Sequence, residues 1–560
     1  MKLNVFQVPF SRYGSYIVIS PLEYGEIKKG LYIRNIRGGD DDLGEVFRIE
    51  TVYNENIIPY KIECSETLMQ LNSEEGFVKI CMPNSNTVRI HSEGIVLRLI
   101  MKKRAYDDII KAEKEAYEVN CSSKKIRFMI NPIIGEVKVR RELEEYPEEI
   151  VIDLLPHKGV MDFSIEDYHT VWKEKKDLSD FNHCLKAVEE DYNSWLENTL
   201  NVPERYSVGK SLASYITWSC VVNPEGFLKR PAMYMSKNWM TNIWSWDHCF
   251  NAMALVKNNP ELAWDQFMAF IDVQDESGTF PDFINDRFAL WNYCKPPIHG
   301  WTLKWMMDRC DFITEEKIKE VYEPLCKWTD WWLKYRDYDK DGVPQYNHGN
   351  DSGWDNATIF KESMAVESPD LCAFLIIQMD VLEKIANKLG KKEEACEWRI
   401  RGEELLNKMI KHFWRKDRFV AVDSYTHEDI ESDSLILYVP LILGKRLNKD
   451  IRNKLLEKIK KEGDFLTEFG LATEKINSEY YIEDGYWRGP IWAPSTMILV
   501  YALNECGEYE LAKKVAERFC SMANKNGMAE NFNALTGEGL RDTAFTWTSS
   551  VFLVLCNEYI

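Results

Sequence analysis

The sequence predicts a mainly α-helical protein, an (α/α)6 barrel preceded by an N-terminal antiparallel β-sandwich. Three observations lead to this fold class. The chain begins with short runs rich in β-branched and aromatic residues, its hydrophobic period becomes helical after about residue 205, and the helical segments alternate between apolar and amphipathic ones. A length of 560 residues exceeds what one hydrophobic core usually supports, so two domains are expected.

The β-sandwich domain is predicted to span residues 1–165. Its runs are short and are interrupted by Gly, Asn and Pro, as in an antiparallel sandwich. No catalytic motif occurs among them. Residues 166–204 become helical and are predicted to form a linker. The six clearest strand-like runs are YGSYIVIS, GLYIRNI, EVFRIETVY, EGIVLRLIMK, KKIRFMI and GEVKVRREL.

Residues 205–560 are predicted to form the barrel from twelve helical segments. Some, such as KKEEACEWRIRGEELLNKMIKHF, are amphipathic, whereas others, such as AFTWTSSVFLVLC, carry no charge. An inner ring of apolar helices inside an outer ring of amphipathic helices satisfies both patterns. An open solenoid of helix pairs is the alternative, but it would cover the apolar helices less completely. The segments are 210–223, 246–258, 260–273, 300–311, 314–338, 368–389, 391–412, 434–442, 448–463, 490–506, 508–524 and 544–558.

The connections between these segments alternate in length. Inner-to-outer connections are short, and outer-to-inner connections are long. Because helix connections normally have about 2–8 residues and longer ones tend to be functional, the long loops indicate where the site lies. If the helices alternate in direction, all six long loops gather at one end of the barrel. The first to sixth loops are 224–245, 274–299, 339–367, 413–433, 464–489 and 525–543.

Composition and charge restrict the class of ligand. Ninety acidic against seventy basic residues give a net charge of −20, which disfavours nucleic acid or an anionic membrane as a partner. The N-terminus lacks the apolar core of a signal peptide, and no run approaches the ~18 apolar residues of a membrane span. The fourteen cysteines include no CxxC pair. We expect a cytoplasmic protein with a small carbohydrate ligand, no cofactor and no metal; a homo-oligomer is compatible with the sequence.

The long loops collect tryptophans, carboxylates, amides and an arginine. Aromatic rings stack on the C–H faces of sugars, and polar groups bind their hydroxyls, so this set favours a polyhydroxylated ligand. The candidates from the loops and their margins are Trp246, Asp247, Gln274, Trp354, Asp355, Tyr486, Trp487, Arg488, Trp492, Glu530 and Glu538.

The third loop contains HGNDSGWDNATIF, with two aspartates four residues apart. Glycosidic bond cleavage needs one protonated and one ionised carboxyl group. A neighbouring tryptophan desolvates a carboxyl group and keeps it protonated, so Asp355 beside Trp354 is the candidate acid, while Asp351 is expected to shape the turn. The alternative is that Asp355 caps the next helix. The partner should come from the sixth loop, where Glu530 and Glu538 are both candidates.

Three motifs resemble family 63 of the glycoside hydrolases, in particular its bacterial mannosylglycerate-hydrolase-like branch, which is related to trehalases. They are SGWDN, YWRGPIW and ENFNALTGEG, in this order, and the resemblance covers roughly residues 205–560. It implies an exo-acting, inverting α-glycosidase of the α-glucosidase or α-mannosidase type. Its substrate would be a small α-linked oligosaccharide or glycoside, such as a glycosylglycerate.

The resemblance also implies roles for single residues. Asp355 would be the general acid and Glu530 the general base. Phe532 and Ala534 stand where a tyrosine and often a proline are expected, which bears on contacts near the leaving group. The implied sugar-binding positions are Trp246, Asp247, Gln274, Trp487, Gly489 and Trp492, with Arg488 in the same motif and Trp354 and Tyr486 beside them.

Two other functions stay open at this point. An epimerase on the same barrel would use histidines for proton transfer, and the long loops contain few of them. A non-catalytic sugar-binding protein would keep the tryptophans but would not need both carboxylates.

The run RDYDKDGVPQYNH begins like a calcium loop, with Asp337, Asp339, Asp341 and Gly342 at the expected spacing. Its twelfth position is His348, where an EF-hand needs a bidentate Glu. A tight Asp/Gly turn is therefore the preferred interpretation.

Overall fold

The computed structural model describes residues 1–25, 27–141, 149–175 and 180–560. It contains two compact units. The first comprises Met1–Glu197, Ser214–Asn223 and Ser236–Thr241, and the second comprises Asn198–Ala213, Pro224–Met235 and Asn242–Ile560. The last two residues of the predicted strand 135–143 and linker residues 176–179 lie outside the described residues.

The first unit is built on two antiparallel sheets. Their strands are β1 (Ile17–Tyr24), β2 (Ile27–Asn35), β3 (Glu45–Tyr53), β4 (Asn56–Ile58), β5 (Lys61–Cys64), β6 (Met69–Asn72), β7 (Phe77–Asn84), β8 (Thr87–Glu93), β9 (Val96–Lys102), β10 (Asp108–Lys111), β11 (Tyr117–Cys121), β12 (Ile126–Ile134), β13 (Glu136–Arg141), β14 (Glu149–Leu155) and β15 (Val160–Tyr168). One sheet has the order β1-β2-β3-β9-β14-β13, with β4 beside β3. The other has the order β10-β11-β12-β15-β8-β7-β6-β5.

These two sheets pack face to face, as a sandwich requires. The ring of Phe47 on β3 lies 5.6 Å from the ring of Phe128 on β12, centroid to centroid. The predicted antiparallel β-sandwich is therefore confirmed. Strands β4 to β8, β10, β11, β14 and β15 have no counterpart among the six predicted runs.

The predicted helical linker, residues 166–204, is not a separate segment in the structure. Most of it belongs to the first unit. Strand β15 continues to Tyr168, and helix α1 (Phe181–Glu197) packs on β7 and β8. Its Phe181 and Cys184 pack with Cys81 in one buried cluster. Since burial of this apolar face holds the helix on the sheet, α1 belongs to the first unit.

Within residues 180–560, which are all described, the twelve predicted segments appear as eleven α-helices and one long 3-10 helix. The 3-10 segment contains Pro440, which has no N–H to donate, and ends near Gly444, whose φ is 52°. The helices are α2 (Ser207–Ser219), α3 (Asp247–Leu255), α4 (Pro260–Met268), α5 (His299–Met307), α6 (Glu315–Tyr335), α7 (Pro369–Lys388), α8 (Lys392–Phe413), the 3-10 helix Leu435–Arg446, α9 (Lys449–Ile459), α10 (Ala493–Glu505), α11 (Tyr509–Asn526) and α12 (Thr546–Glu558).

The apolar helices form a closed inner ring. Helices α3, α5, α7, the 3-10 helix, α10 and α12 contact one another in this order, and α12 returns to contact α3. Helices α10 and α12 are buried along nearly their whole length, whereas α6 and α11 bury one face. The (α/α)6 barrel is confirmed, and the open solenoid is wrong. No helix among the described residues is long and apolar enough to cross a membrane.

Short strands join the long loops in three pairs. These and the other short strands of this half of the chain are β16 (Val221–Val222), β17 (Ala232–Met233), β18 (Ile243–Trp244), β19 (Phe283–Ile284), β20 (Ala289–Leu290), β21 (Gln345–Tyr346), β22 (Val366–Glu367), β23 (Trp414–Arg415), β24 (Arg418–Phe419), β25 (Ala421–Asp423), β26 (Asp429–Ile430), β27 (Ile491–Trp492), β28 (Asn531–Phe532) and β29 (Gly539–Leu540). The first and second loops share the sheet β18-β19-β20, the third and fourth share β21-β22-β25-β26, and the fifth and sixth share β27-β28-β29. Hydrogen bonds from Asn350 to Asp282 and from Asn356 to the Gly485 carbonyl connect the three pairs, so the six long loops meet at one end of the barrel.

Candidate active site

A cluster of tryptophans forms the wall of the site. The ring of Trp487 is stacked on Trp492 at 4.0 Å between centroids, and it lies 4.8 Å from Trp354 and 6.2 Å from Trp246. All four are almost fully buried. These predicted sugar-binding residues lie together. Because they are buried, they act mainly as an apolar wall that excludes water from the neighbouring carboxyl groups.

Two glycines allow the backbone to approach this cluster. Gly353 has a φ of 72°, and a Cβ added there would lie 2.5 Å from the Trp246 ring. Gly489 has a φ of 151°, and an added Cβ would lie 2.4 Å from the carbonyl oxygen of Ile482. The predicted site residue Gly489 thus has a backbone role, because only glycine fits there without displacement.

Asp351 and Asp355 have different environments. The Asp351 carboxylate is buried and accepts hydrogen bonds from Arg336 Nη1 (2.9 Å) and from the backbone N–H groups of Cys294 (3.1 Å) and Asn347 (3.0 Å). Its predicted structural role is confirmed. Asp355 is 33% exposed, and the 3-10 turn after it begins at Thr358 without a side-chain cap. Asp355 is therefore not a helix-capping residue.

A buried lysine lies beside Asp355. Lys295 Nζ is 3.9 Å from the Asp355 carboxylate and 3.2 Å from that of Asp282, and it donates to the side-chain oxygen of Asn350 at 2.7 Å. Burial raises the pKa of Asp355, while the Lys295 ammonium opposes this shift. A raised pKa favours the protonated form, which a general acid needs.

Asp247 belongs to the same charged group. It is buried at the start of α3, and this burial raises its pKa well above its usual value, while Lys295 lowers it and Asp282 and Asp355 raise it further. Neither Lys295 nor Asp282 was predicted as a site residue. Lys295 stands between a cysteine and a proline, and no spacing of charged residues in the sequence points to it.

Glu530 lies in the sixth loop, directly before strand β28. It is 2% exposed, its backbone N–H donates to the Asp542 carbonyl at 2.7 Å, and its Oε2 finds no hydrogen-bond partner among the described residues. Burial, followed by the charge of Asp542, raises the pKa of Glu530 to about 8. Glu538, the other candidate in this loop, is exposed. The structure thus places Glu530, and not Glu538, in the desolvated centre.

Tyr486 joins the two candidate carboxyl groups. Its side chain interacts with both Asp355 and Glu530 and lowers the pKa of each, and Asp355, Glu530 and Asp247 all act on its own phenol. Burial raises the pKa of Tyr486 well above its usual value, so it remains a neutral donor. Its backbone φ is 61°, a strained value for a tyrosine that the surrounding structure must maintain.

Two predicted site residues have other contacts. The amide of Gln274 donates to the carbonyl oxygens of Gly278 (2.8 Å) and Pro324 (2.9 Å), so both its hydrogens hold the second loop in place. Arg488 lowers the pKa of the buried Glu474 rather than that of the candidate pair. The contacts of these two residues are therefore with the second loop and with Glu474.

Replacing Lys295 by Met should lower the free energy of unfolding by about 3 kcal/mol, because removal of one partner leaves a buried carboxylate without its cation. Chemical denaturation would measure this change. Asp282→Asn added to Lys295→Met should restore part of the loss, since it removes the charge that was left unpaired. If the wild type and Lys295→Met had the same free energy of unfolding, Lys295 and Asp282 would not form a stabilising buried ion pair.

Comparison with known proteins fits this geometry. A family model described as the mannosylglycerate hydrolase MGH1-like glycoside hydrolase domain matches residues 240–548. A mannosylglycerate hydrolase of Rubrobacter radiotolerans is 20% identical over 402 residues, which cover 55% of this chain and 89% of that enzyme.

Two solved structures share the fold. The family 63 mannosylglycerate hydrolase of Thermus thermophilus, in complex with glucose, has a TM-score of 0.55 at 17% identity and covers 62% of this chain and 99% of that one. A bacterial glucoamylase in complex with acarbose has a TM-score of 0.61 at 11% identity and covers 98% and 93%. The family model matches more than half of the chain, including both candidate carboxyl groups. The chain belongs to the mannosylglycerate hydrolase MGH1-like glycoside hydrolases.

Proposed function

We propose that this glycoside hydrolase is an exo-acting, inverting α-glycosidase whose substrate is a small α-linked glycoside of the glycosylglycerate type. The observation that carries the proposal is that Asp355 and Glu530, two carboxyl groups whose pKa values burial raises, come from separate loop pairs and both interact with the Tyr486 side chain. Two carboxyl groups around one bond are what glycoside hydrolysis requires.

Each carboxyl group has a distinct task in this mechanism. Asp355, whose pKa is raised by burial, donates its proton to the glycosidic oxygen as the bond to the anomeric carbon breaks. Glu530 in its ionised form accepts a proton from a water molecule, which attacks that carbon from the opposite face. The oxygen of the released sugar then comes from water, and its anomeric configuration is inverted.

The relatives favour a small sugar with an anionic aglycone, because they are mannosylglycerate hydrolases. Near the candidate pair, Arg541 lies 5.0 Å above the Tyr486 ring, and its charge lowers the pKa of Glu530. Arg541 Nη1 donates to the Asp484 carboxylate, so a glycerate-like carboxylate would share this guanidinium with Asp484.

NMR detection of the first anomer released tests the proposal. We expect the β-anomer from α-mannosylglycerate or α-glucosylglycerate, and slower hydrolysis of the matching uncharged glycosylglycerol. Trehalose and other α-linked disaccharides complete the set of substrates. Initial release of the α-anomer would contradict inversion, and a preference for glycosylglycerol would contradict the anionic aglycone.

The other functions are not favoured, because the matched family and the relatives are hydrolases. We also propose that the ligand is a small carbohydrate, with neither nucleic acid nor membrane as a partner, and that the chain works in the cytoplasm. All fourteen cysteines are free, which supports a reducing compartment.

A further inference from the structure

A second group of charged residues lies near the third and fourth loops, away from the two catalytic candidates. It contains the three aspartates of the run DYDKDG, the buried Glu367 on β22, and two histidines. One oxygen each of Asp337, Asp339 and Asp341 lie within 4.8 Å of one another. We call Asp337, Asp339, Asp341 and Glu367 the four-carboxylate cluster.

The aspartate run has the geometry of a calcium loop. The carboxylate of Asp337, at position one, accepts a hydrogen bond from the backbone N–H of Gly342, at position six, at 3.1 Å. Gly342 has a φ of 85°, as the sharp turn of such a loop requires. Position seven, whose carbonyl binds the ion in an EF-hand, is Val343. Position twelve is His348, so this run lacks the bidentate carboxylate of an EF-hand.

Glu367 supplies a carboxylate from another segment. It is fully buried, and its carboxylate has an oxygen within 4.8 Å of an Asp339 oxygen and an oxygen within 4.8 Å of an Asp341 oxygen. Its Oε1 finds no hydrogen-bond partner in the part of the chain that the structure describes. Glu367 lies opposite Gln345 in the β21–β22 pair, so the sheet fixes it next to the aspartate loop. A buried, half-satisfied carboxylate that faces two others is unfavourable without a cation.

The two histidines hold these carboxylates from outside. Nε2 of His412, at the end of α8, is 2.6 Å from Glu367 Oε2, and its Nδ1 is 3.5 Å from Asp341. Nε2 of His427 is 3.5 Å from Asp339. Imidazole groups that contact ligand carboxylates in this way orient them.

The donor set and its spacing indicate which ion fits. Calcium binds six to eight oxygens at about 2.3–2.6 Å, so two oxygens on one ion are at most about 5 Å apart. The separations among the three aspartates, and those from Glu367 to Asp339 and Asp341, are within 4.8 Å and satisfy this limit. Magnesium prefers fewer protein oxygens in a tighter octahedron, and a transition metal would select the histidines instead.

We propose that Asp337, Asp339, Asp341 and Glu367, with the Val343 carbonyl, form a calcium site in which Glu367 replaces the twelfth position of the loop. The ion would join residues 337–343 to residue 367. These segments flank the loop that contains Asp355, so the ion would fix both ends of that loop.

Calorimetric titration of chelator-treated full-length protein tests this site with Ca²⁺, Mg²⁺ and Zn²⁺ separately. We expect one Ca²⁺ per chain and a higher melting temperature in its presence. Asp339→Asn, at a partly exposed position, should weaken Ca²⁺ binding at least ~10-fold and remove the thermal shift. Glu367→Gln should do the same. Asp311→Asn, at an exposed acidic residue elsewhere, is the matched control and should bind like wild type.

The outcomes separate clearly, and none depends on glycosidase activity. Absence of Ca²⁺ binding to the wild type overturns the proposal, as does unchanged binding in a correctly folded Asp339→Asn. Stoichiometric Zn²⁺ binding that is lost in His412→Gln, without Ca²⁺ binding, would replace it with a histidine-based metal site. Circular dichroism establishes that each variant is folded.

Discussion

Asp355→Asn should reduce hydrolysis of an unactivated α-glycoside by about 10²–10⁴-fold, the usual contribution of a general acid. Asparagine keeps the shape of the side chain but has no proton of suitable acidity to give. The leaving oxygen must then depart as an alkoxide. A glycosyl fluoride needs no such proton, so the variant should hydrolyse the fluoride at a rate close to that of the wild type.

Steady-state rates on the two substrates test this assignment. Glu276→Gln, at an exposed carboxylate of the second loop, is the control and should be fully active on both. Equal losses on the glycoside and the fluoride in Asp355→Asn would show that Asp355 is not the acid. Unchanged hydrolysis of the glycoside would remove it from the mechanism.

Glu530→Gln should abolish hydrolysis of the glycoside and the fluoride alike, by about 10²–10⁴-fold or more, since both reactions need an activated water. The matched control is Glu538→Gln, at the exposed carboxylate of the same loop. If Glu530→Gln still hydrolysed the fluoride, Glu530 would be the general acid and Asp355 the general base.

The pKa of Glu530 gives this prediction a second readout. When the Asp355→Asn variant hydrolyses the fluoride, no acid is needed, and only Glu530 has to be in its ionised form. Because Glu530 is the base when ionised and its pKa is about 8, the rate should increase as the pH increases through about 8. A rate that falls over this range would contradict a base at Glu530. In the wild type acting on the glycoside, both the acid and the base must be in the correct form, so its pH profile depends on two ionisations.

Much of the fold could be predicted from the sequence, because its helices alternate between apolar and amphipathic ones, as the inner and outer rings of the barrel require. Apolar segments such as α12 and amphipathic ones such as α11 have different surroundings, and the alternation of loop lengths then places the site. The segment Leu435–Arg446 was predicted as a helix without its type. Its proline does not by itself show whether the backbone keeps the hydrogen bonds of an α-helix or those of a 3-10 helix.

The site was less predictable where a role depends on partners distant in the chain. Asp355 could be singled out because its tryptophan is adjacent. Lys295 and Glu367 could not, since the carboxylates that each one faces lie in other segments. Gln274 shows the opposite problem: a position taken from a resemblance has its amide hydrogens committed to backbone carbonyls in this structure.

The pairing of the long loops has a consequence for the stereochemistry of the reaction. Asp355 comes from the third loop, which shares a sheet with the fourth, and Glu530 comes from the sixth loop, which shares a sheet with the fifth. Asn356 connects the two sets: its Oδ1 accepts from the Trp487 N–H at 2.9 Å, and its Nδ2 donates to the Gly485 carbonyl at 3.0 Å. Inverting and retaining enzymes differ by only about 1–4 Å in carboxyl separation. We therefore expect these two amide hydrogen bonds to help set the separation of Asp355 and Glu530, which decides whether water or an enzyme carboxylate attacks the sugar.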